Sequence, residues 1–199
     1  CLRQSLKEMG DMDLKTYKKI IDILPRNIAC VNPTGFGEPL LHKDIIEMIR
    51  FARFKHKHTE IYTNATILDE GMSKNLLASG LDSLHFSIDG TTKNTYEYLR
   101  LGAKYDEVIQ NIVQFMELRK KVHNPPDVAM RVIIMRENLH ETCRFIEVAH
   151  KLGISDVRFQ ALQFFWGSGI SNPEHSIHFM KEIDEAKQTL KNAQEKAEK

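Results

Sequence analysis

Apolar residues recur with two alternating periods along this chain, and the alternation sketches a repeating strand and helix architecture. Between 14 and 24, Tyr17, Ile20, Ile21 and Leu24 share one helical face, with Asp13 as a natural N-cap and Pro25 as a stop. The run NIACV at 27–31, bounded by proline and glycine, reads as a buried strand. A turn-rich stretch, NPTGFGEP, leads to a helix over 42–54 carrying Ile45, Ile46, Ile49 and Phe54, and HTEIYT at 58–63 reads as the next strand. Asp69 opens a third helix that holds Leu76 and Leu77 and reaches Gly80 as its C-cap; 81–88 is the third strand.

After Gly90, a short helix at 92–100 precedes a longer one at 105–122, with Val108, Ile112, Phe115 and Leu118 on one side. The break at Asn124, Pro125 and Pro126 introduces a strand at 128–135, a helix at 140–152 ending at Gly153, and a fifth strand at 155–160. Strands joined by helices imply right-handed parallel crossovers, and so a curved parallel sheet or partial β/α barrel. Residues 1–160 form this α/β unit; 161–172 reads as an aromatic-rich loop and 173–199 as a charged helical tail that frays at its end.

Composition narrows the picture. With 199 residues, 42% hydrophobic and 28% charged, the chain is large enough for one soluble domain with a sizeable core. Its net charge of +1 comes from 28 basic and 27 acidic residues that are interspersed, so neither nucleic acid nor an anionic membrane is an expected partner. No apolar run approaches the roughly 20 residues of a membrane span, and no secretion signal is recognisable, so a cytoplasmic location is expected. The three cysteines, Cys1, Cys30 and Cys143, are odd in number and widely spaced, which argues against a disulfide framework and fits a reducing compartment. The first residue is not Met, and the expectation is a portion of something longer.

Three polar signatures close successive strands: GFGEP at 35–39, Thr63 with Asn64, and SIDG at 87–90. In a parallel strand/helix chain, residues at strand carboxyl ends land on one rim, where such folds bind ligands. Each signature alone also fits a plain turn or loop cap. Arg131 interrupts the apolar MRVIIM: alternation can turn it outward, whereas an inward Arg needs an anion, and both readings stay open. Asn138 and Glu141 read as helix caps, and His56 and His58 as solvated residues at a strand start. Cys30, inside an apolar strand, and Cys143, on a helix, read as buried structural thiols. The run Gln163, Phe164, Phe165 and Trp166 either lines a substrate cavity, covers the barrel floor or docks a further domain.

Taken in order, GFGEPLLHKD at 35–44, TNAT at 63–66, SIDG at 87–90 and Arg100 resemble the radical S-adenosylmethionine (SAM) superfamily. The family pattern runs Gly-Glu-Pro-Leu-Leu-His, Thr-Asn-Gly, then Ser-x-Asp-Gly followed by an Arg. The resemblance spans Cys1 to about Gln160 and implies a partial parallel (β/α)6 TIM-like barrel whose first strand is missing from this chain. It implies a [4Fe-4S] cluster held by a Cys-x3-Cys-x2-Cys loop, with Cys1, followed by Arg3 and Gln4, as the last metal ligand and the other two cysteines upstream. The bland alternative is an ordinary terminal thiol. One cysteine does not hold such a cluster, so the chain as given is not expected to assemble it alone.

The same resemblance implies that Gly37, Glu38 and Pro39 meet the amino group of SAM and that Thr63 and Asn64 line its side of the barrel. Ser87 and Asp89 would lie near its carboxylate and ribose, Arg100 would pair with the carboxylate, and Arg131 is a further candidate pocket residue. Phe36 and Ala65 stand where many members carry glycine. The implied activity, fed by an external electron donor, is reductive cleavage of SAM to methionine and a 5′-deoxyadenosyl radical that takes hydrogen from a substrate. Members with SIDG and a following Arg often continue into a SPASM-type domain with auxiliary clusters and modify peptides or proteins; the substrate is not legible here. Two rival classes remain: a non-catalytic fragment or degenerate barrel that binds a nucleotide or a partner, and a lyase-type barrel with a Schiff-base lysine. No lysine sits centrally in a strand, which counts against the second.

Overall fold

The structure, a computed structural model, describes residues 10–25, 27–35, 37–162 and 183–198. Five strands form one wholly parallel sheet in the order β1 (Cys30–Val31), β2 (His58–Thr63), β3 (Ser83–Ser87), β4 (Asp127–Ile134) and β5 (Asp156–Ala161). Spatial order equals sequence order, so every crossover steps one place in the same direction and, being right-handed, returns over the same face. That face carries α1 (Leu14–Ile23), α2 (Ile45–Phe54), α3 (Glu70–Leu77), α4 (Lys93–Leu99), α5 (Tyr105–Arg119) and α6 (Thr142–Leu152); α7 (Ile183–Ala197) packs on α6.

Strand alternation sorts side chains accordingly. Ile61, Leu84, Phe86, Met130 and Val132 are buried in one core with Ile49, Leu76, Ile112, Phe115 and Phe145 from the helices. Full burial of such a side chain contributes about 1.5–3 kcal/mol. The alternate strand positions, Glu60, Tyr62, His85, Arg131 and Arg158, lie on the opposite, polar face. Helices on one face and polar groups on the other make the partial barrel that the strand/helix alternation predicts.

Most elements fall where the periodicity puts them, with four departures. Pro39–Leu41 form a 3-10 turn, and α2 starts only at Ile45, because Glu38 caps that turn by accepting from the Leu40 N–H. The expected buried strand at 27–31 shrinks to the two residues of β1, the edge of the sheet, and Cys30 is exposed rather than buried. Its register with His58 aims it to the polar face, where no helix covers it. Cys143 is only half-buried on α6. The described part of the charged tail is helical over Ile183–Ala197 and held, since Ala186 and Ala193 are small enough to bury against the domain and Lys196 pairs with Glu147. Cys1, Arg3, Gln4, Phe36 and the aromatic run 163–166 lie outside the described residues.

One loop is built with unusual density of bonds. The Glu141 carboxylate accepts from the Thr91 N–H at 2.6 Å and from the hydroxyls of Thr91, Thr92 and Thr95 at 2.9, 3.1 and 2.7 Å. It thereby fastens the loop after β3 to the start of α6, 50 residues later. Gly90 sits in the same loop against α4, and a Cβ there would stand 2.5 Å from the Tyr96 backbone nitrogen.

Two outcomes are expected. Gly90→Ala forces a methyl group against the α4 backbone, so it should destabilise the domain by about 1–3 kcal/mol, the usual cost of overpacking; a melting temperature equal to wild type would refute the close approach. Burial alone would raise the Glu141 pKa, but its bonds to Thr91, Thr95 and Thr92 outweigh that and hold it below the ordinary 4.5. The stability this group contributes is complete above that ordinary value and is lost as pH falls through the depressed folded one. Chemical denaturation of Glu141→Gln should therefore show a deficit at pH 7 that shrinks toward pH 3, and a constant deficit would contradict the assignment.

Candidate functional site

The carboxyl ends of β1, β2, β3 and β4 carry the predicted residues in three groups. In the first, Glu38 ties the loop after β1 to the end of β2. Its Oε1 accepts from the Thr63 hydroxyl at 2.7 Å as well as from Leu40, and its Oε2 accepts from the Asn64 N–H at 2.7 Å. Three donors use most of the roughly four lone-pair positions of a carboxylate. The Glu38 side chain therefore mainly holds the loop; the Glu38 and Pro39 carbonyls take the N–H groups of Leu41 and His42, which leaves the Gly37 carbonyl as the freer acceptor. Gly37 adopts φ 149° with open space beside it, a conformation that a side chain would strain.

Beyond β2 the chain turns sharply. The Asn64 carboxamide accepts from the Thr66 N–H and hydroxyl at 2.9 and 2.6 Å, and Ala65 takes φ 57°. A left-handed conformation is what glycine supplies without cost, which accounts physically for the glycine of the resembled pattern. Here Ala65 is held there by its buried methyl and by Asn111 Nδ2, which donates to the Ala65 carbonyl at 2.9 Å.

The second group centres on Asp89, which is 4% exposed. Arg100, the C-cap of α4, donates to its Oδ2 from Nε at 2.7 Å and from Nη2 at 2.5 Å, while the Ile133 N–H donates to Oδ1 at 2.8 Å. Asn138 completes the joint: its Nδ2 donates to the carbonyls of Asp89 and Ile133 at 2.9 and 2.8 Å, and its Oδ1 accepts from Met135. Arg100 keeps Nη1 for a further acceptor. Tyr96 links the two groups. Its hydroxyl is buried without a hydrogen-bond partner; burial pushes its pKa up, with Arg100 opposing and Asp89 and Glu38 adding to the shift.

The third group lies on the polar face. Ser87 and Arg131 are register partners, so they project side by side. This settles the open reading of Arg131: it points inward, with Nη2 donating to the Tyr62 hydroxyl at 3.1 Å and its guanidinium 5.2 Å over the Tyr62 ring. Tyr62 stacks on His85 at 4.5 Å, and Glu60 faces both.

Tertiary structure thus adds Tyr96, Asn138, Tyr62 and His85 to the sequence-predicted residues. None has a local signal for this role, since their partners lie on other elements; Asn138 and Glu141 read as helix caps in the sequence, but neither side chain bonds its own helix, because both are drawn to the loop after β3. A cavity of about 710 Å³ opens between α1 and the loop after β1, lined by Tyr17, Gly35, Gly37, Glu38, Pro39 and His42 among others. It touches none of Thr63, Asn64, Ser87, Asp89, Arg100 or Arg131, so the strand-end rim, where donors and acceptors converge, is the better candidate site.

Two cofactor types can be tested against these residues. No three His, Cys, Asp or Glu side chains gather as a metal site among the described residues, and Cys30 and Cys143 lie on separate elements, so those residues do not supply the ligands of an iron–sulfur cluster. SAM fits better: the rim offers the partly exposed Arg100 guanidinium and the Gly37 carbonyl, which accepts no backbone N–H among the described residues.

Residues 5–160 match the sequence profile of the radical SAM superfamily. The tungsten-containing aldehyde ferredoxin oxidoreductase cofactor-modifying protein of Pyrococcus furiosus is 27% identical over 161 residues, covering 77% of this chain and 44% of that protein. PqqA peptide cyclase of Granulibacter bethesdensis is 25% identical over 160 residues, 80% of this chain and 41% of that one. The chain thus spans less than half the length of these relatives. Among solved structures, Streptococcus suis SuiB bound to precursor peptide SuiA superposes with a TM-score of 0.70 at 15% identity, covering 98% of this chain and 44% of SuiB. SuiB bound to S-adenosylmethionine gives 0.63 at 13% identity over 82% of this chain and 35% of that one. At such identities the likeness is one of fold.

Proposed function

This chain belongs to the radical SAM superfamily, and we propose that its strand-end rim binds SAM as the core of a radical SAM enzyme acting on a peptide or protein. SAM supplies, on reductive cleavage, methionine and the 5′-deoxyadenosyl radical that abstracts a substrate hydrogen. A [4Fe-4S] cluster would supply the electron from an external donor, and Cys1, outside the described residues, is the ligand this chain would contribute to it. Free thiols and a reducible cluster suit the cytoplasm. Among the described residues no helix is long and apolar enough to cross a membrane.

The observation that carries this reading is the arrival of Glu38 with Thr63 and Asn64, Asp89 with Arg100, and Ser87 at the carboxyl ends of neighbouring parallel strands. The Gly37 carbonyl would accept from the SAM ammonium, with Pro39 beside it already taking the His42 N–H, and Glu38 keeps this loop in place through its bonds to β2. Arg100, oriented by Asp89, presents its remaining guanidinium edge to the SAM carboxylate. Asn64 and Ser87 flank the ribose. Arg131 stands level with Ser87, its register partner, and two residues below the Asp89 contact at Ile133, so we assign it to the substrate rather than to SAM. The peptide or protein substrate is supported by PqqA peptide cyclase and by SuiB, whose names and bound peptide concern those proteins.

Isothermal titration of SAM into the protein tests the rim. Asn64→Ala and Arg100→Lys should each weaken SAM about tenfold, equivalent to about 1.4 kcal/mol. The lysine variant keeps a charge beside Asp89, so the buried carboxylate stays paired. SAM affinities equal to wild type in both would remove the rim from SAM binding.

A further inference from the structure

We infer that the polar face of β2, β3 and β4 holds a second anion site, below the rim, where Arg131 with His85 beside it receives a carboxylate carried by the substrate. The inference rests on the reading of the barrel interior as the place where substrate meets SAM.

Arg131 and His85 are both short of partners. Arg131 donates to a neutral phenol, its buried Nε has no hydrogen bond, and it pairs with no carboxylate among the described residues. His85 is 5% exposed, and neither ring nitrogen has a hydrogen-bond partner; Glu60 approaches Nε2 only to 3.5 Å. Buried polar groups are nearly always satisfied, so two such gaps side by side call for an occupant.

Charge identifies it. Arg158, register partner of Arg131, is spent on Asp156 through bonds of 2.6, 2.9 and 3.0 Å. Glu60 faces Tyr62 and His85. Arg131 is then the one guanidinium of the cluster with no carboxylate within bonding reach among the described residues, and a single negative charge placed on it meets that need. A phosphomonoester carries about −1.5 to −2 and would be opposed by Glu60 and Asp156.

Depth separates this site from the rim. The Asp89 carboxylate meets β4 at Ile133, and Arg131 lies two residues back along the strand, roughly 6–7 Å at the usual rise. An anion held by Arg100 beside Asp89 therefore does not also sit on Arg131. Burial first, then the Arg131 charge, hold the His85 imidazole below its ordinary pKa; Arg158 acts the same way and Glu60 opposes them. The charged and titratable groups on this face are Glu60 and Tyr62 on β2, Arg131 on β4, and Asp156 and Arg158 on β5. A bound carboxylate offsets the arginine charges and raises the His85 pKa.

Nuclear magnetic resonance of histidine-labelled protein, titrated with acetate and separately with inorganic phosphate, tests the site through the His85 ring. Acetate should shift the ring signal saturably and raise its pKa, and phosphate should bind more weakly. Arg131→Gln should weaken acetate at least tenfold and Arg131→Lys less, while SAM affinity stays within twofold of wild type. Absence of a saturable acetate response in wild type overturns the inference without needing any variant to fold. Phosphate binding as tightly as acetate overturns the carboxylate assignment. A tenfold loss of SAM affinity in Arg131→Gln would give Arg131 to SAM, overturning the inference but leaving the proposed function intact, whereas failure of the Asn64 and Arg100 variants to weaken SAM strikes the function itself.

Discussion

Three carboxylates at the mouth of the sheet each accept a backbone N–H from a distant segment, and on this the positions of the other rim residues depend. Glu38 takes the N–H of Asn64, Asp89 that of Ile133, and Glu141 that of Thr91. A buried carboxylate is costly unless paired or hydrogen-bonded, so each locks the register of the loops it joins. Loops over a parallel sheet have no ladder bonds of their own to hold them. Here the carboxylates supply that restraint, with Gly90 allowing α4 to close against the third strand's loop.

The one-sided winding of the sheet then decides where chemistry is possible. Sequential strand order puts the helices on one face, and the apolar strand positions are consumed there in a continuous core. The other face keeps its tyrosine, histidine, arginines and carboxylates, many in partial contact with one another. A doubly wound sheet would have covered both faces and required apolar residues at these positions. Polar strand interiors and a partial barrel are thus one fact seen at two levels.

Within that interior, guanidinium groups differ by their partners rather than by type. Arg100 is oriented by Asp89, Arg158 is neutralised by Asp156, and Arg131 rests on a phenol. The first presents an edge at the rim, the second is spent, and the third lacks an anion.

The residue pattern by itself determined the order and type of the elements, because period-3.6 and strand-like apolar runs are local properties. It also placed Glu38, Thr63, Asn64, Ser87 and Asp89 at the rim, because parallel strands send their carboxyl ends to one side; Arg100, the C-cap of α4, was legible only through the family resemblance. It misjudged Cys30, whose apolar neighbours suggested burial when the edge position of β1 leaves it exposed. Only the tertiary structure decided that Glu38 is a clamp, that Arg131 faces inward, and that the Asn138 and Glu141 side chains bond the loop after β3 instead of capping their own helix. Those roles are set by bonds between residues 25 to 69 positions apart, and no periodicity or spacing in a sequence encodes which of many possible partners a side chain will meet.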